Sequence, residues 1–288
     1  MTGGPLPQLS RLAVAGVGLI GGSIARRAQA AWPGVHVVGV DTPEIMAEAL
    51  HAGVIDESCD SVDRLPDVDL VVLAAPVGTI VELIEAVAVR RLEGVVTDVG
   101  STKRVIAEAA RRHGLRRFVG GHPVAGAERG GLANARADLF EGRPWAIVAG
   151  DADADAVALV SDFAQGLGAV PRRTSAEDHD RAMAFVSHLP QLVAVALAEA
   201  ARSAAGPMAP ALSGRAMDEM TRLASSPPDL WADILTSNAD FVGEAVSVFA
   251  GLLSRLDRGS GLPSERTSLF QHAAGWREAL VLARTRTE

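Results

Sequence analysis

The stretch that most restricts this chain is residues 12–23, LAVAGVGLIGGS. A short apolar run turns at Gly16-Val17-Gly18 and leads through Gly21 into an Ala-rich helical pattern ending near Ala31. Strand, tight glycine turn and helix, in that order, is the arrangement that holds a dinucleotide pyrophosphate. Gly16 permits the turn, Gly18 lets the backbone approach the phosphates, and Gly21 lets helix and strand pack closely. The helix start, with Leu19 and Ile20, adds free N–H groups for the anion. A second apolar strand, residues 35–40 (VHVVGV), ends in Asp41, twenty residues after Gly21. A carboxylate there accepts both hydroxyls of an adenosine ribose and repels a 2′-phosphate, so NAD is expected over NADP.

Strands and helices continue to alternate after Asp41. Residues 43–52 read as a helix with Pro at its first turn. Residues 68–75, VDLVVLAA, are an almost continuous apolar run, as suits a parallel strand buried on both faces. The run stops at Pro76, which puts Ala75 and Pro76 among the expected cofactor-binding residues. A helix over 77–90, a strand over 94–99 and a helix to His113 follow, the last capped by Ser101 or Thr102. Residues 117–121, 144–149 and 169–173 read as further strands, with a helix over 154–167. This is the pattern of an α/β, Rossmann-type doubly wound sheet. From Ser175 onward only helical patterns remain: one running past Pro190 to Gly206-Pro207, then 212–224, 230–255 and 265–285, with Asp229 and Ser264 as caps. The predicted domains are therefore 1–172, the sheet, and 173–288, all helical.

Composition narrows the class. The 288 residues suffice for two domains, and 22% charged with 48% hydrophobic residues is ordinary for a globular chain. A net charge of -8 argues against nucleic acid and acidic membranes as partners. No leader pattern and no uninterrupted apolar run of membrane-spanning length is present, so a cytoplasmic location is expected. The single cysteine, Cys59, allows no internal disulfide, and its polar stretch DESCDSVD reads as incidental. No metal-ligand spacing occurs, so no metal is assigned. Tyrosine is absent and alanine abundant, which thins the core; the apolar stretches 183–197 and 245–253 exceed what one helical layer can bury, and a homodimer is expected.

Several residues stand out as chemistry. His122, in the glycine-rich stretch GGHPVAGAERGGL, is placed in a loop at the carboxyl end of a strand, where an imidazole serves as general base for a hydroxyl proton while hydride leaves the same carbon. Ser101 follows a strand end and can hydrogen-bond the reacting hydroxyl or a nicotinamide. Asp98 braces that turn. His179, in EDHD, reads as solvated or interdomain. His188, beside Leu189-Pro190, sits where a helix break would turn it into a cleft. Arg222 is an isolated base on a partly apolar helix, suited to fixing a carboxylate bidentately or else simply surface-exposed.

GVGLIGGS (16–23), DVGSTK (98–103), GGHPVAGAERGG (120–131), EDHD (177–180), SHLP (187–190) and MTRLASSPPDLWADILTSN (220–238) occur in the order seen in prephenate and arogenate dehydrogenases, and over residues 11–240 the chain resembles that family. The resemblance implies NAD(P)-dependent oxidative decarboxylation of a cyclohexadienol in tyrosine biosynthesis, by a dimer joined through its helical domains. It implies His122 as the base, Ser101 as the residue orienting the hydroxyl, and Glu128, His188 and Arg222 lining the substrate, with Arg222 on a carboxylate. Two positions depart from the family pattern. Gln191 replaces the second histidine of SHLPH. Asp218 replaces a basic residue one helical turn before Arg222, where it can pair with that arginine or face the substrate and favour the amino-acid side chain of arogenate. The alternatives are thus prephenate, arogenate or 4-amino-4-deoxyprephenate as substrate and, in another class, a non-catalytic NAD-binding regulator.

Overall fold

Leu12 to Ala15, and all of Leu70–Leu73, are buried, as an apolar strand must be when helices cover both faces of its sheet. Alternate residues go to opposite sides. Leu12, Val14, Val37, Leu70 and Val72 join one apolar core, while Ala13, Ala15, Val38, Val71 and Leu73 join the other. The structure, a computed structural model, describes residues 8–126, 129–257 and 263–285. Its strands are β1 (Arg11–Ala15), β2 (His36–Val40), β3 (Glu57–Ser58), β4 (Leu70–Leu73), β5 (Val95–Asp98), β6 (Phe118–Pro123), β7 (Pro144–Val148) and β8 (Val170–Arg173). They form one sheet in the order β3-β2-β1-β4-β5-β6-β7-β8.

The helices in chain order are α1 (Leu19–Ala31), α2 (Pro43–His51), α3 (Val77–Arg90), α4 (Arg104–Arg112), α5 (Ala154–Gly166), α6 (Ala176–Met183), α7 (Leu189–Ala204), α8 (Ala209–Leu212), α9 (Arg215–Thr221), α10 (Pro228–Ser237), α11 (Ala239–Asp257) and α12 (Pro263–Thr285). The six strands from β3 to β6 pair in parallel, whereas β6 and β7 are antiparallel and β7 and β8 parallel again. Parallel neighbours need a crossover, and α1 to α4 supply crossovers across the first part. Among the described residues no α-helix lies between β6 and β7, and the strand returns in the opposite sense.

The chain divides into two compact units that differ from the division read from the sequence. One holds residues up to Ala182 together with Ser226–Ser237, and the other holds Met183–Ser225 and Asn238 onward. Thus α6 and α10 belong with the sheet. The single helix expected over 230–255 is instead α10 and α11, parted at Asn238.

In the helical unit, Ala184–His188 forms a π-turn just ahead of Pro190. Proline lacks an N–H, so one rung of the helical ladder is lost there, and the wider turn accommodates it without the break expected at this point. Residues 176–204 are long and apolar enough, by length and composition alone, to cross a membrane. The stretch is interrupted by His188, Pro190 and Gln191, and the two polar side chains among these are buried.

Candidate functional site

The site begins at the glycine turn. Gly16 has φ +96, and a Cβ there would stand 2.2 Å from the Ala74 carbonyl oxygen. At Gly21 a Cβ would meet the Gly16 carbonyl oxygen at 1.9 Å, so both positions exclude any side chain. Around Gly18 the opposite holds: a Cβ would meet nothing within 4 Å. The turn is closed against the protein at Gly16 and Gly21 and open at Gly18, the N-cap of α1, leaving space where a pyrophosphate would meet the helix N-terminus. Asp41 ties the end of β2 to this turn. One of its carboxylate oxygens accepts from the Val17 N–H at 2.7 Å, the other from the Thr42 N–H at 2.7 Å.

A cleft of about 590 Å³ runs over this turn, lined by Gly16, Gly18, Asp41, Ala75 and Pro76, and also by Asp60, Ser61, Val62 and Asp63. That is within the size range of small-molecule and cofactor sites. The segment Asp60–Asp63 was invisible in the sequence, where the stretch around Cys59 looked incidental. Its placement follows from β3 pairing in parallel with β2, which brings the next turn alongside Asp41. The open cradle at Gly18 and the carboxylate at the end of β2 fit a dinucleotide with an unphosphorylated ribose.

His122 lies on β6 itself, opposite Ala146 of β7, and not in the expected loop. Pairing with β7 extends the strand through Pro123. Gly121, just before it, has to be glycine: a Cβ would meet the Asp98 carbonyl oxygen at 2.5 Å and the Trp145 indole nitrogen at 2.9 Å. Asp98 is fully buried and accepts from the N–H groups of Gly100 (2.8 Å) and Gly121 (3.1 Å). The same carboxylate pairs with the buried Lys103 ammonium, which also donates to the Gly121 carbonyl oxygen at 2.6 Å. Burial pushes the Lys103 ammonium below the usual lysine range, and Asp98 opposes that shift. Ser101 sits half-buried in the turn between Asp98 and Lys103.

Neither Ser101 nor Thr102 caps α4. The Thr102 hydroxyl lies 2.9 Å from that of Ser237. The first N–H groups are instead received by Asp180, at 2.7 Å from the Lys103 N and 2.9 Å from the Arg104 N. His179, read from the sequence as solvated or interdomain, is 4% exposed. Its Nε2 is 2.9 Å from His122 Nδ1, and its Nδ1 is 2.8 Å from Asp180 Oδ1. The 57 residues separating the two histidines hid this contact; an adjacent His-Asp pair within a helix is the one local sequence signal that could have suggested it.

In the helical unit, His188 is 1% exposed, with its Nδ1 3.3 Å from the Asn238 amide nitrogen. Gln191, the departure from SHLPH, donates to the Leu223 carbonyl oxygen at 2.9 Å and so anchors the short helical turn Arg222–Ser225 against α7. Arg222 and Asp218 are both exposed. Among the described residues they form no ion pair with each other, in contrast to the pairing weighed above: the arginine opens a 3-10 turn, and the regular spacing of one α-turn is lost at that junction. Glu128 lies outside the described residues.

A doubly wound Rossmann-type sheet followed by a largely helical unit is the class of protein these features define. Residues 24–172 match the family model "Prephenate dehydrogenase, nucleotide-binding domain", and residues 175–259 match "Prephenate dehydrogenase, dimerization domain". The chain belongs to the prephenate dehydrogenase family. It is 34% identical over 236 residues to the prephenate dehydrogenase of Bacillus subtilis, covering 79% of this chain and 64% of that longer protein. Among solved structures it is similar to prephenate dehydrogenase from Aquifex aeolicus in complex with hydroxyphenyl propionate and NAD+, with a TM-score of 0.83 and 27% identity over 98% of this chain and 99% of the other. Arogenate dehydrogenase from Synechocystis gives a TM-score of 0.81 and 26% identity over 94% and 99%.

Proposed function

We propose that this chain is an NAD-dependent dehydrogenase that converts prephenate to 4-hydroxyphenylpyruvate with loss of carbon dioxide, in tyrosine biosynthesis. The observation that carries the reading is the seating of His122 on β6, beside the Asp98 turn that holds Ser101, in a member of this family. Gly16, Gly18, Leu19, Ile20, Gly21, Asp41, Ala75 and Pro76 hold the dinucleotide, which when bound supplies the acceptor for the hydride leaving ring C4. His122 takes the proton of the 4-hydroxyl, and Ser101 orients that hydroxyl. Arg222 holds a substrate carboxylate, with His188 and Glu128 lining the substrate. As the C1 carboxylate leaves, the electrons of its bond complete the aromatic ring, so the chain has only to align one hydrogen and poise one base. The helical unit forms a homodimer, in keeping with the dimerization-domain match, and the location is cytoplasmic.

A second reading, arogenate as substrate, is favoured by the Synechocystis relative and by Asp218, which is exposed one turn before Arg222. Steady-state rates with purified prephenate and arogenate, followed as absorbance of reduced NAD, test both. Turnover of prephenate with at least tenfold higher kcat/KM is the expected result, and turnover of neither overturns the reading. His122→Asn is expected to lower kcat by roughly 10²–10⁴ while leaving NAD binding near wild type.

A further inference from the structure

One buried pair that the reaction as proposed leaves unused touches its base. Asp180 is fully buried, yet its donors include the backbone N–H groups of Lys103 and Arg104, the Arg104 side chain at 3.3 Å, and the His179 ring at 2.8 Å. Burial alone would raise its pKa, but the hydrogen bonds from His179 and from the Arg104 and Lys103 backbone outweigh it and hold the carboxyl below the ordinary aspartate range. Asp180 is therefore an anion, and an anionic carboxylate only accepts. That fixes the proton of a neutral His179 on Nδ1. Its Nε2 then carries a lone pair, directed at His122 Nδ1 at 2.9 Å with the two rings edge to face at 71°. Two lone pairs cannot face each other at that distance, so His122 Nδ1 bears the proton and donates. The remaining His122 nitrogen, Nε2, then carries no proton.

We infer that Asp180 and His179 are positioning residues, which through two successive hydrogen bonds set the tautomer and ring orientation that make His122 Nε2 a base. This rests on the reading of His122 as the proton acceptor. When Nε2 gains its proton, the Nδ1–H bond to His179 strengthens, and the positive charge is shared toward the Asp180 carboxylate without that carboxylate taking up a proton. The same carboxylate receives the first N–H groups of α4, so the turn bearing Ser101 and the ring of His122 are set from one anion.

The direct test is nitrogen-15 NMR of the histidine rings in the full chain without substrate, at about pH 8, above the ordinary histidine range. The expected spectrum has His122 protonated at Nδ1 and His179 protonated at Nδ1. In Asp180→Asn the anion is gone and the amide meets a backbone N–H at either position, so both rings are expected to lose the single tautomer and show mixed protonation. Protonation of His122 at Nε2 in the wild type overturns the inference whatever the substrate proves to be. With turnover established, His179→Leu is expected to lower kcat by about 10²-fold or more with KM for NAD near wild type. His179→Gln, whose amide can still accept from His122 and donate to Asp180, should recover at least a tenth of wild-type kcat at an unchanged melting temperature. Equal losses in the Leu and Gln variants, or kcat and both KM values moving together with melting temperature, would mean a packing role only and overturn the inference. Absence of turnover in the wild type defeats the proposed function and leaves the NMR result standing by itself.

Discussion

Asp41 is where one carboxylate is expected to decide between two cofactors. Both its oxygens are already held by N–H groups of Val17 and Thr42, so the charge is fixed in place rather than free to swing aside. Asp60 and Asp63 line the same cleft. A 2′-phosphate would meet this group of carboxylates in a partly enclosed cleft, where like charges are poorly screened. The expected outcome is at least tenfold higher kcat/KM with NAD than with NADP, measured by steady-state kinetics, and an NADP preference would refute it. Asp41→Asn should narrow the ratio by raising KM for NAD, since the ribose loses a charged acceptor. Residue identities of this kind were legible beforehand because glycine and aspartate at a strand–turn–helix junction have few other uses. Asp60 and Asp63 were not, because their meaning depends on which strand pairs with β2.

The turn between β5 and α4 is held by a buried ion pair rather than by a capping hydroxyl. Lys103 is 1% exposed and Asp98 fully buried. Removing one partner of such a pair strands the other charge, which costs about 3–5 kcal/mol. Asp98→Asn is therefore expected to lower the melting temperature markedly, and more than Lys103→Met, because the Asp98 carboxylate stranded by the latter keeps the N–H groups of Gly100 and Gly121. Equal and small shifts by calorimetry would show that the pair contributes little. The strands and most helices of the sheet unit could be read from apolar runs and glycine punctuation. What could not be read was anything depending on partners far along the chain: the extension of β6 through His122 by pairing with β7, the cap supplied to α4 by Asp180, and the division of 230–255 at Asn238. Local pattern reports which residues prefer to be buried, whereas these features are decided by what arrives opposite them.

The helical unit leaves much of its apolar surface uncovered within one chain. Val246 and Leu253 of α11, and Phe270 and Trp276 of α12, are 40%, 49%, 71% and 55% exposed. Exposed side chains of this size, on consecutive helices, are uncommon on a monomer. Sedimentation at micromolar concentration is expected to show a two-fold assembly. Leu253→Glu should shift it toward monomer, and a fully active monomeric wild type would refute the expectation. At the same scale, Arg222→Ala is expected to raise KM for the cyclohexadienol roughly 30-fold while leaving KM for NAD unchanged, because losing one side of a charge-assisted pair costs about 2–5 kcal/mol. An unchanged substrate KM would make Arg222 a surface residue only.

The partner of His122 and the anion behind it come late in the chain, and that gives the molecule an order in time. All eight strands, and the cradle at Gly16–Gly21, are encoded before His179 and Asp180. During synthesis the amino-terminal part of a chain emerges and organises first. The cleft for a dinucleotide is therefore specified in a nascent chain whose histidine still lacks the neighbours that set its proton. The cofactor cleft is written ahead of the two residues that touch His122, and these arrive only once the polypeptide has passed the last strand and turned back on β6 and the start of α4.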